Sequence, residues 1–200
     1  MEQLPSLKQL FKYLQQMPYL ASKNLYRVVN HFLLMDDAKI DQFCAAILTA
    51  KRNILKCNKC FMWKEKNAEC VFCDSVKRDH TIICVVETWQ ELLAIEKTGG
   101  YPGVYHVLGG SISPLEGVGP EDLTFDGLIN RVKSDTNIKE IILAMNQNPE
   151  GEATSSYISH KLNGLPVTIT CLARGVQVGS SLEFVDRVTL YKALSERRPF

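Results

Sequence analysis

Residues 81–87 read Thr81-Ile82-Ile83-Cys84-Val85-Val86-Glu87. A continuous run of apolar and β-branched residues, with no polar alternation, predicts a strand that is buried on both faces, as the strands of a parallel sheet are. Glu87 then lies at the carboxyl end of this strand, which is where the functional groups of such sheets gather. The stretch therefore predicts the first strand of a parallel α/β domain.

Strand and helix patterns alternate along the chain after this stretch, which supports the same domain type. Three further short apolar runs predict strands at 104–108, 141–144 and 167–170. Helical apolar spacing predicts helices at about 88–97, 121–134 and 152–162. A loop rich in Gly, Pro and Ser covers residues 109–120.

Acidic residues follow two of the predicted strands. Glu87 ends the first strand, and Glu150 and Glu152 follow the third after a short loop. Carboxylates at neighbouring strand ends can share a divalent cation such as Mg²⁺ through oxygen ligands. The alternative is that Glu150 and Glu152 only complement the dipole of the helix that begins there. From the residues alone, the second interpretation is favoured.

Two CxxC pairs precede the α/β region. They are Cys57-Asn58-Lys59-Cys60 and, after nine intervening residues, Cys70-Val71-Phe72-Cys73. Each pair can form a tight knuckle, and two knuckles supply the four thiolates of a tetrahedral zinc site. Disulfides or a redox-active CxxC are the alternative, but neither pair has a thioredoxin-type strand-to-helix context. A closed four-sulfur site has no open coordination position, so we expect structural Zn²⁺ and no metal catalysis.

The other three cysteines lie in apolar surroundings along the sequence. We expect Cys44, Cys84 and Cys171 to be core residues with free thiols. Unpaired thiols and an odd total of seven cysteines fit a reducing compartment. The N-terminus lacks the pattern of a signal peptide, and no stretch reaches the roughly 18 apolar residues of a membrane span. We therefore expect a cytoplasmic protein without a membrane segment.

Three helices are predicted before the cysteines, each with its apolar side facing a core. The first covers residues 4–16 and ends before Pro18, and the second has Ser22 at its N-cap. The third covers about 37–55, and the apolar residues expected to point inward are Ile40, Phe43, Cys44, Ile47 and Leu48.

Charge is distributed unevenly along the chain, although the net charge is only +1. Residues 1–80 contain 13 basic and 8 acidic residues, whereas residues 81–200 contain 10 basic and 14 acidic residues. A basic N-terminal part is compatible with a phosphate-binding surface, and equally with ordinary solvated helix faces.

Taken together, these features resemble the RecR family of bacterial recombination mediators over nearly the whole chain. The resemblance rests on a helix-hairpin-helix segment, the four-cysteine finger, and a set of motifs in the family's order. These motifs are Ile83 to Glu87, the loop Ser113 to Pro120, Glu150 to Thr154, Leu172 to Val176, Leu182 to Asp186, and Thr189-Leu190.

The resemblance implies an α/β protein of four parts. These are a helix-hairpin-helix DNA-binding region (1–55), a C4 zinc finger (56–79), a Toprim domain (80–172), and a C-terminal Walker-B-like tail (173–200). It also implies a non-enzymatic mediator of DNA repair in the cytoplasm, associated with the nucleoid during repair. Such a protein forms a ring-like homodimer or homotetramer on DNA and helps to load RecA recombinase at single-stranded gaps.

Roles for individual residues and partners follow from the same resemblance. Lys23 and Arg27 would line the DNA-facing hole and bind single-stranded, gapped or duplex DNA without reading its sequence. Glu87, Glu150 and Glu152 would contact a partner or hold Mg²⁺. The partner proteins would be RecO and, in many bacteria, RecF.

The chain departs from the family at two places. The hairpin reads Pro18-Tyr19-Leu20-Ala21 where the family usually has Pro-Gly-x-Gly, so the close phosphate approach that glycines permit is in question. In the tail, Gln177 to Ser181 replaces the usual Pro-Val-Gly-Gly, which weakens any nucleotide contact. We therefore favour the side chains of Lys23 and Arg27 over the hairpin backbone as DNA contacts.

Two other functions remain as alternatives. A Mg²⁺-dependent Toprim nuclease or strand-passage enzyme would use Glu87, Glu150 and Glu152 as a metal cradle. The chain offers no nucleophile beside a base, because its four histidines, His31, His80, His106 and His160, lie in no catalytic motif. The second alternative is an oligomeric scaffold that binds partner proteins but not DNA. The residues leave open whether the ring is a dimer or a tetramer and whether RecO is needed for DNA binding.

Overall fold

The computed structural model describes residues 4–197 and residue 199. The signal-peptide prediction falls in part on residues 1–3, which lie outside the described residues. The chain divides into two compact units, residues 1–54 and residues 55–200.

The first unit consists of three helices, as predicted. Helix α1 covers Pro5–Leu14, α2 covers Ser22–Leu34, and α3 covers Asp37–Asn53. The core between α1 and α2 contains Phe11, Leu14, Leu25 and Val29. The N-cap of α2 is Ala21, so the prediction of Ser22 as the cap is wrong by one residue.

The inward packing predicted for α3 is not observed. None of its residues is buried, and Phe43, Ile47 and Leu48 are about half exposed. Cys44 on the same helix is also exposed, which contradicts its expected place in a core. Helical periodicity reveals that a face is apolar but not what covers it. Among the described residues that face is covered only in part, since Phe43 meets the ring of Phe32 with centroids 5.7 Å apart.

The second unit begins with the cysteine module, which we define as residues 55–74. Two short strands, β1 (Ile54–Lys56), which starts at the unit boundary, and β2 (Trp63–Glu65), form a two-stranded sheet. With only two strands of three residues each, this module has little regular structure of its own. Its packing therefore depends on the cysteines and on the domain that follows.

The rest of the second unit is the predicted parallel α/β domain. Its strands are β3 (Asp79–Val86), β4 (Gly103–Val107), β5 (Glu140–Ala144) and β6 (Thr168–Cys171), paired in parallel in the order β4-β3-β5-β6. The connecting helices are α4 (Trp89–Glu96), α5 (Phe125–Ser134) and α6 (Pro149–Leu162). The α/β class and the parallel sheet are thus confirmed.

Burial follows the position of each strand in the sheet. Residues 83–86 of the central strand β3 are almost completely buried, as its unbroken apolar run predicts. Cys84 lies within this strand and is buried, as expected. Cys171 is exposed, against expectation, because it is the last residue of β6, which forms an edge of the sheet.

The C-terminal segment is mostly irregular until helix α7, which covers Arg187–Ser195. None of the α7 residues is buried, and Leu182, Phe184, Val188 and Tyr191 are more than half exposed. Among the described residues, no helix combines the length and the apolar character needed to cross a membrane.

Candidate functional site

The four cysteines of the two CxxC pairs form one buried cluster. Cys57, Cys60, Cys70 and Cys73 are each no more than 5% exposed, and their sulfur atoms all lie within 4.8 Å of one another. Each pair closes a knuckle in the same way, because the backbone N–H of Phe61 donates to Cys57 O and that of Asp74 donates to Cys70 O, both at 3.0 Å. Four sulfur atoms this close together can all bind one metal ion.

The chemistry of this cluster fits a cationic metal ion. Burial, together with the nearby Cys60, raises the pKa of the Cys70 thiol to about 11. Contact with Cys73, together with burial, raises the pKa of the Cys60 thiol as well, so these two thiols resist ionisation, whereas a divalent cation would supply the charge that favours thiolates. Disulfides are not formed, since all four cysteines are free. The cluster is therefore a metal-binding site of four sulfur ligands.

Asp74 holds the second knuckle and connects it to the first. Its Oδ2 accepts a hydrogen bond of 2.8 Å from the backbone N–H of Cys70, and its Oδ1 accepts one of 3.4 Å from Lys59 Nζ. The Cys70 N–H contributes most to lowering the pKa of Asp74 below its ordinary value. The carboxylate thus orients the backbone around the metal ligands, as supporting groups at metal sites do.

The cysteine module packs on the outer strand β4 of the parallel sheet. Val107 N donates to Cys60 O at 2.8 Å, and the rings of Phe72 and Tyr105 meet edge to face with centroids 5.3 Å apart. The metal ligands and the buried residues of this side of the sheet belong to one apolar cluster. The metal site therefore stabilises a contact with the sheet as well as the module itself.

Arg78 anchors this contact through its guanidinium group. It forms a two-point ion pair with the carboxylate of Glu96 on α4 and donates to Gly103 O at 2.9 Å. The same group lies 4.9 Å from the ring centroid of Phe72 and 5.7 Å from that of Tyr105. Arg78 thus connects α4, β4 and the cysteine module, a role that no motif in the sequence reveals.

At the end of β3, the carboxylate of Glu87 is engaged by an asparagine. Glu87 is only 5% exposed, and its two oxygens accept hydrogen bonds of 2.8 Å from the backbone N–H and the Nδ2 of Asn146. Asn146 Nδ2 also donates to Glu91 Oε1 at 2.9 Å. The amide nitrogen of Asn146 therefore lies between the carboxylates of Glu87 and Glu91.

The other two predicted acidic residues lie in the first turn of α6. Glu152 Oε1 accepts from Arg174 at 2.8 Å and from Lys192 at 2.9 Å, and these contacts, that with Lys192 above all, lower the pKa of Glu152. Glu150 and Glu152 thus occupy the positions where carboxylates complement a helix dipole. Within residues 4–197, the four cysteines are the one group of metal-ligating side chains that the structure gathers.

Replacing Asn146 by aspartate is expected to lower the free energy of unfolding by about 2 kcal/mol, because a carboxylate would then face Glu87 and Glu91 and both hydrogen bonds donated by Nδ2 would be lost. Urea unfolding at neutral pH measures this change. Gln147→Glu is the matched control, since the neighbouring amide makes only one long hydrogen bond, to Met145 O at 3.4 Å. Equal stability of the two variants would contradict the assigned role of Asn146.

The loop after β5 and the start of α6 are shaped by small and polar residues, of which only Gly151 belongs to a motif recognised in the sequence. Asn148 caps α6 by accepting from Gly151 N at 2.8 Å. A Cβ at position 151 would lie 2.1 Å from Asn146 O, so glycine is required for this close backbone approach. The signal that could have identified these residues is their position directly after a parallel strand.

The predicted DNA-binding residues lie on one helix face. Lys23 and Arg27 are both exposed and are one turn apart on α2. In the preceding hairpin, Tyr19 has φ 64°, a left-handed conformation that glycine adopts without steric cost. Tyr19 thus adopts a conformation that favours glycine at a position where the family usually has glycine.

In the C-terminal segment predicted to be a Walker-B-like tail, Asp186 has a structural role. Its Oδ1 accepts from the backbone N–H groups of Val188 at 3.0 Å and Thr189 at 2.9 Å, which caps the N-terminus of α7. Leu182–Phe184, just before it, form a 3₁₀ turn and not a strand.

Comparisons with known proteins agree with these features. A family model described as "Toprim domain" matches residues 81–173, and one described as "RecR, C-terminal" matches residues 178–198. The protein named "Recombination protein RecR" from Staphylococcus saprophyticus is 43% identical over 182 residues, which cover 91% of each chain. The protein of the same name from Cytophaga hutchinsonii is 40% identical over 187 residues, or 94% of this chain and 91% of its own.

Proposed function

Because the chain belongs to the RecR family of recombination proteins, we propose that it is a recombination mediator in DNA repair that binds DNA and does no chemistry on it. Its relatives match over more than nine tenths of the chain, and the Toprim and RecR C-terminal models match in the expected order. The resemblance inferred from the motifs is thereby confirmed.

The observation that supports DNA binding best is the charge of the helical hairpin. Residues 4–35 contain four basic residues and no acidic residue, and Lys23 and Arg27 extend from the exposed side of α2. Lysine and arginine bind phosphates by releasing counterions, without reading sequence. Such a surface suits single-stranded, gapped and duplex DNA, and ring assembly around DNA would bring several copies of it together.

Substituting Lys23 and Arg27 together by alanine is expected to weaken DNA binding and to make its salt dependence shallower. The slope of log affinity against log salt falls by about 0.9 for each duplex phosphate that the protein no longer neutralises. Fluorescence anisotropy of labelled single-stranded and gapped DNA over a salt series measures both quantities. The matched control is a double alanine variant at Lys97 and Lys133, two exposed lysines of the second unit. It removes the same amount of positive charge at positions that are not proposed to contact DNA.

An unchanged slope in the Lys23 and Arg27 variant would refute these two contacts. Wild-type protein that binds no DNA without a partner protein would favour the scaffold alternative, in which partner proteins alone are bound.

The absence of enzymatic activity is proposed from the surroundings of Glu87. Both of its oxygens accept hydrogen bonds from Asn146, and Glu152 is paired with two cations, so a metal ion at either carboxylate would have to compete with these partners. The alternative, a Mg²⁺-dependent nuclease or strand-passage enzyme, requires Mg²⁺ at Glu87, Glu150 and Glu152. Incubation of supercoiled plasmid with the protein and Mg²⁺ distinguishes the two, since either cleavage or relaxation would support the enzyme.

We assign Zn²⁺ as the metal of the four cysteines, because four thiolates in a closed tetrahedral cluster are typical of structural zinc. Free thiols at the other cysteines fit the reducing cytoplasm.

Exposed apolar residues support self-association into a homodimer or homotetramer. They lie on α3 and in the tail and are Phe43, Ile47, Leu48, Leu182, Phe184 and Tyr191. Of the acidic residues near the strand ends, Glu152 is exposed and would contact RecO or RecF, whereas Glu87 is buried against Asn146.

A further inference from the structure

An open groove of about 890 Å³ lies in the first unit, between α1 and α2. Its lining combines two kinds of side chain. Lys8 and Lys12 are exposed and one turn apart on α1, and the rings of Tyr13 and Tyr26 border the same space. Neither the motifs nor the proposed DNA contacts account for these four residues.

The two tyrosines present aromatic surface to solvent. Tyr13 is 59% exposed and Tyr26 is 60% exposed. Tyr26 is held from beneath, since its ring centroid lies 5.1 Å from that of the buried Phe11. An exposed ring with a packed support is already ordered, so a flat ligand can stack on it with little further loss of side-chain freedom.

Charge indicates which flat ligand suits the groove. The surrounding residues 4–35 have Lys8, Lys12, Lys23 and Arg27 as their charged side chains and no acidic residue. Lys23, Tyr26 and Arg27 share one face of α2, so the aromatic groove continues into the basic face assigned to phosphate contact. An apolar helix of a partner protein would bury these cations without compensation, whereas a polyanion with aromatic bases complements both features.

We propose that this groove binds unpaired nucleotides of single-stranded DNA, with Lys8 and Lys12 on phosphates and Tyr13 and Tyr26 stacked on bases. The inference rests on the proposed DNA binding and deepens it by naming the structure that is recognised. Bases of a duplex already stack on each other and offer no free face, whereas every unpaired base does. The groove therefore gives the protein a preference for single strands, such as those at gaps.

The test compares three labelled ligands of equal length by fluorescence anisotropy. They are a thymidine oligonucleotide, an oligonucleotide of the same backbone without bases, and a duplex. For the Tyr13→Leu/Tyr26→Leu variant we expect roughly tenfold weaker binding of the thymidine oligonucleotide, as loss of base stacking predicts. Its binding of the abasic strand and of the duplex should equal that of the wild type.

Tyr13→Phe/Tyr26→Phe is the matched control, because it keeps both rings and should bind all three ligands as the wild type does. If the double leucine variant does not fold, the single variant Tyr13→Leu replaces it in the test. This variant leaves the packing of the Tyr26 ring on the Phe11 ring intact, because Tyr13 is not part of that pair. Lys8→Ala/Lys12→Ala should weaken binding of both single-stranded ligands, with or without bases, and reduce the salt slope.

The possible failures are distinguishable. A wild type that binds none of the ligands would refute DNA binding by the chain itself, and the groove assignment with it. Wild-type binding that depends on Lys23 and Arg27 but is unchanged in the leucine variants would refute only the groove. Equal loss of thymidine and abasic binding in these variants would also overturn base stacking.

Discussion

Replacing Cys60 by serine is expected to abolish metal binding and to lower the midpoint of thermal unfolding by roughly 10 °C. Cys60 is fully buried, and its sulfur lies 3.5 Å from that of Cys70. A hydroxyl is a poor replacement for a thiolate ligand, and structural zinc sites contribute directly to folding. A loss of about 3 kcal/mol or more corresponds to this shift for a chain of this length.

The cysteine module gives the physical reason for so large an effect. Its two strands have three residues each, so apart from the metal its knuckles are held by only a few hydrogen bonds, such as those to Asp74. Because Cys60 O also accepts from Val107 N, loss of the knuckle would loosen the packing against β4.

Elemental analysis and scanning calorimetry of the purified variant measure both effects. Cys44→Ser is the matched control, because Cys44 is an exposed free cysteine on α3, outside the cluster. It should retain one metal per chain and unfold as the wild type does. Full metal content in Cys60→Ser would mean that the four-sulfur site is wrongly assigned.

Arg78→Ala is expected to lower the free energy of unfolding by about 3 kcal/mol, the lower end of what breaking a largely buried ion pair costs. The side chain of Arg78 is 17% exposed and that of Glu96 is 25% exposed. Removing the guanidinium would leave the Glu96 carboxylate and Gly103 O without their partner and would uncover the rings of Phe72 and Tyr105.

The effect of Arg78→Ala should depend on pH in a defined direction. Burial acts to raise the pKa of Glu96, but hydrogen bonds from Arg78 and Tyr105 hold that pKa below its ordinary value. A carboxyl group with a lowered folded-state pKa stabilises the protein above its unfolded-state pKa and loses this contribution as pH falls through the folded-state value. The difference between variant and wild type should therefore be full at neutral pH and shrink in acid.

Chemical denaturation over a pH series tests this expectation. The exposed pair of Lys39 and Asp36 provides the comparison, since both side chains are more than two thirds exposed. Lys39→Ala should change stability by about 0.5 kcal/mol or less, as is usual for surface ion pairs.

Arg78→Lys keeps the positive charge but not the two-point contact with the carboxylate, so its stability should lie between those of the wild type and Arg78→Ala. A loss no larger than that of Lys39→Ala would contradict the anchoring role.

Where the sequence predicted well, the signal was local. The spacing within and between the two CxxC pairs identified the four metal ligands, because knuckle geometry depends on near neighbours. The unbroken apolar run of residues 81–86 identified a central parallel strand, because burial on both faces leaves no polar alternation. The glutamates of α6 were correctly placed at a helix start by the dipole interpretation.

The predictions of burial for α3 and Cys171 failed because burial depends on what packs against a residue from elsewhere in the chain. The periodicity of α3 correctly indicated that one side of the helix is apolar. Whether that side is buried depends on which other surface packs against it, and periodicity carries no information about that surface. Cys171 was expected in the core because its neighbours are apolar, whereas strand order places β6 at the edge of the sheet.

The sequence by itself determined the α/β class, the metal ligands and the family, since each depends on residue types at short, fixed spacings. Only the tertiary structure decided what surrounds Glu87, because its partner Asn146 lies 59 residues further along the chain. The same holds for Arg78 and Glu96, and for the groove in which Lys8, Lys12 and Tyr13 face Tyr26. Contacts between distant residues form when helices and strands pack, and a single long-range pair leaves no periodic trace in the chain.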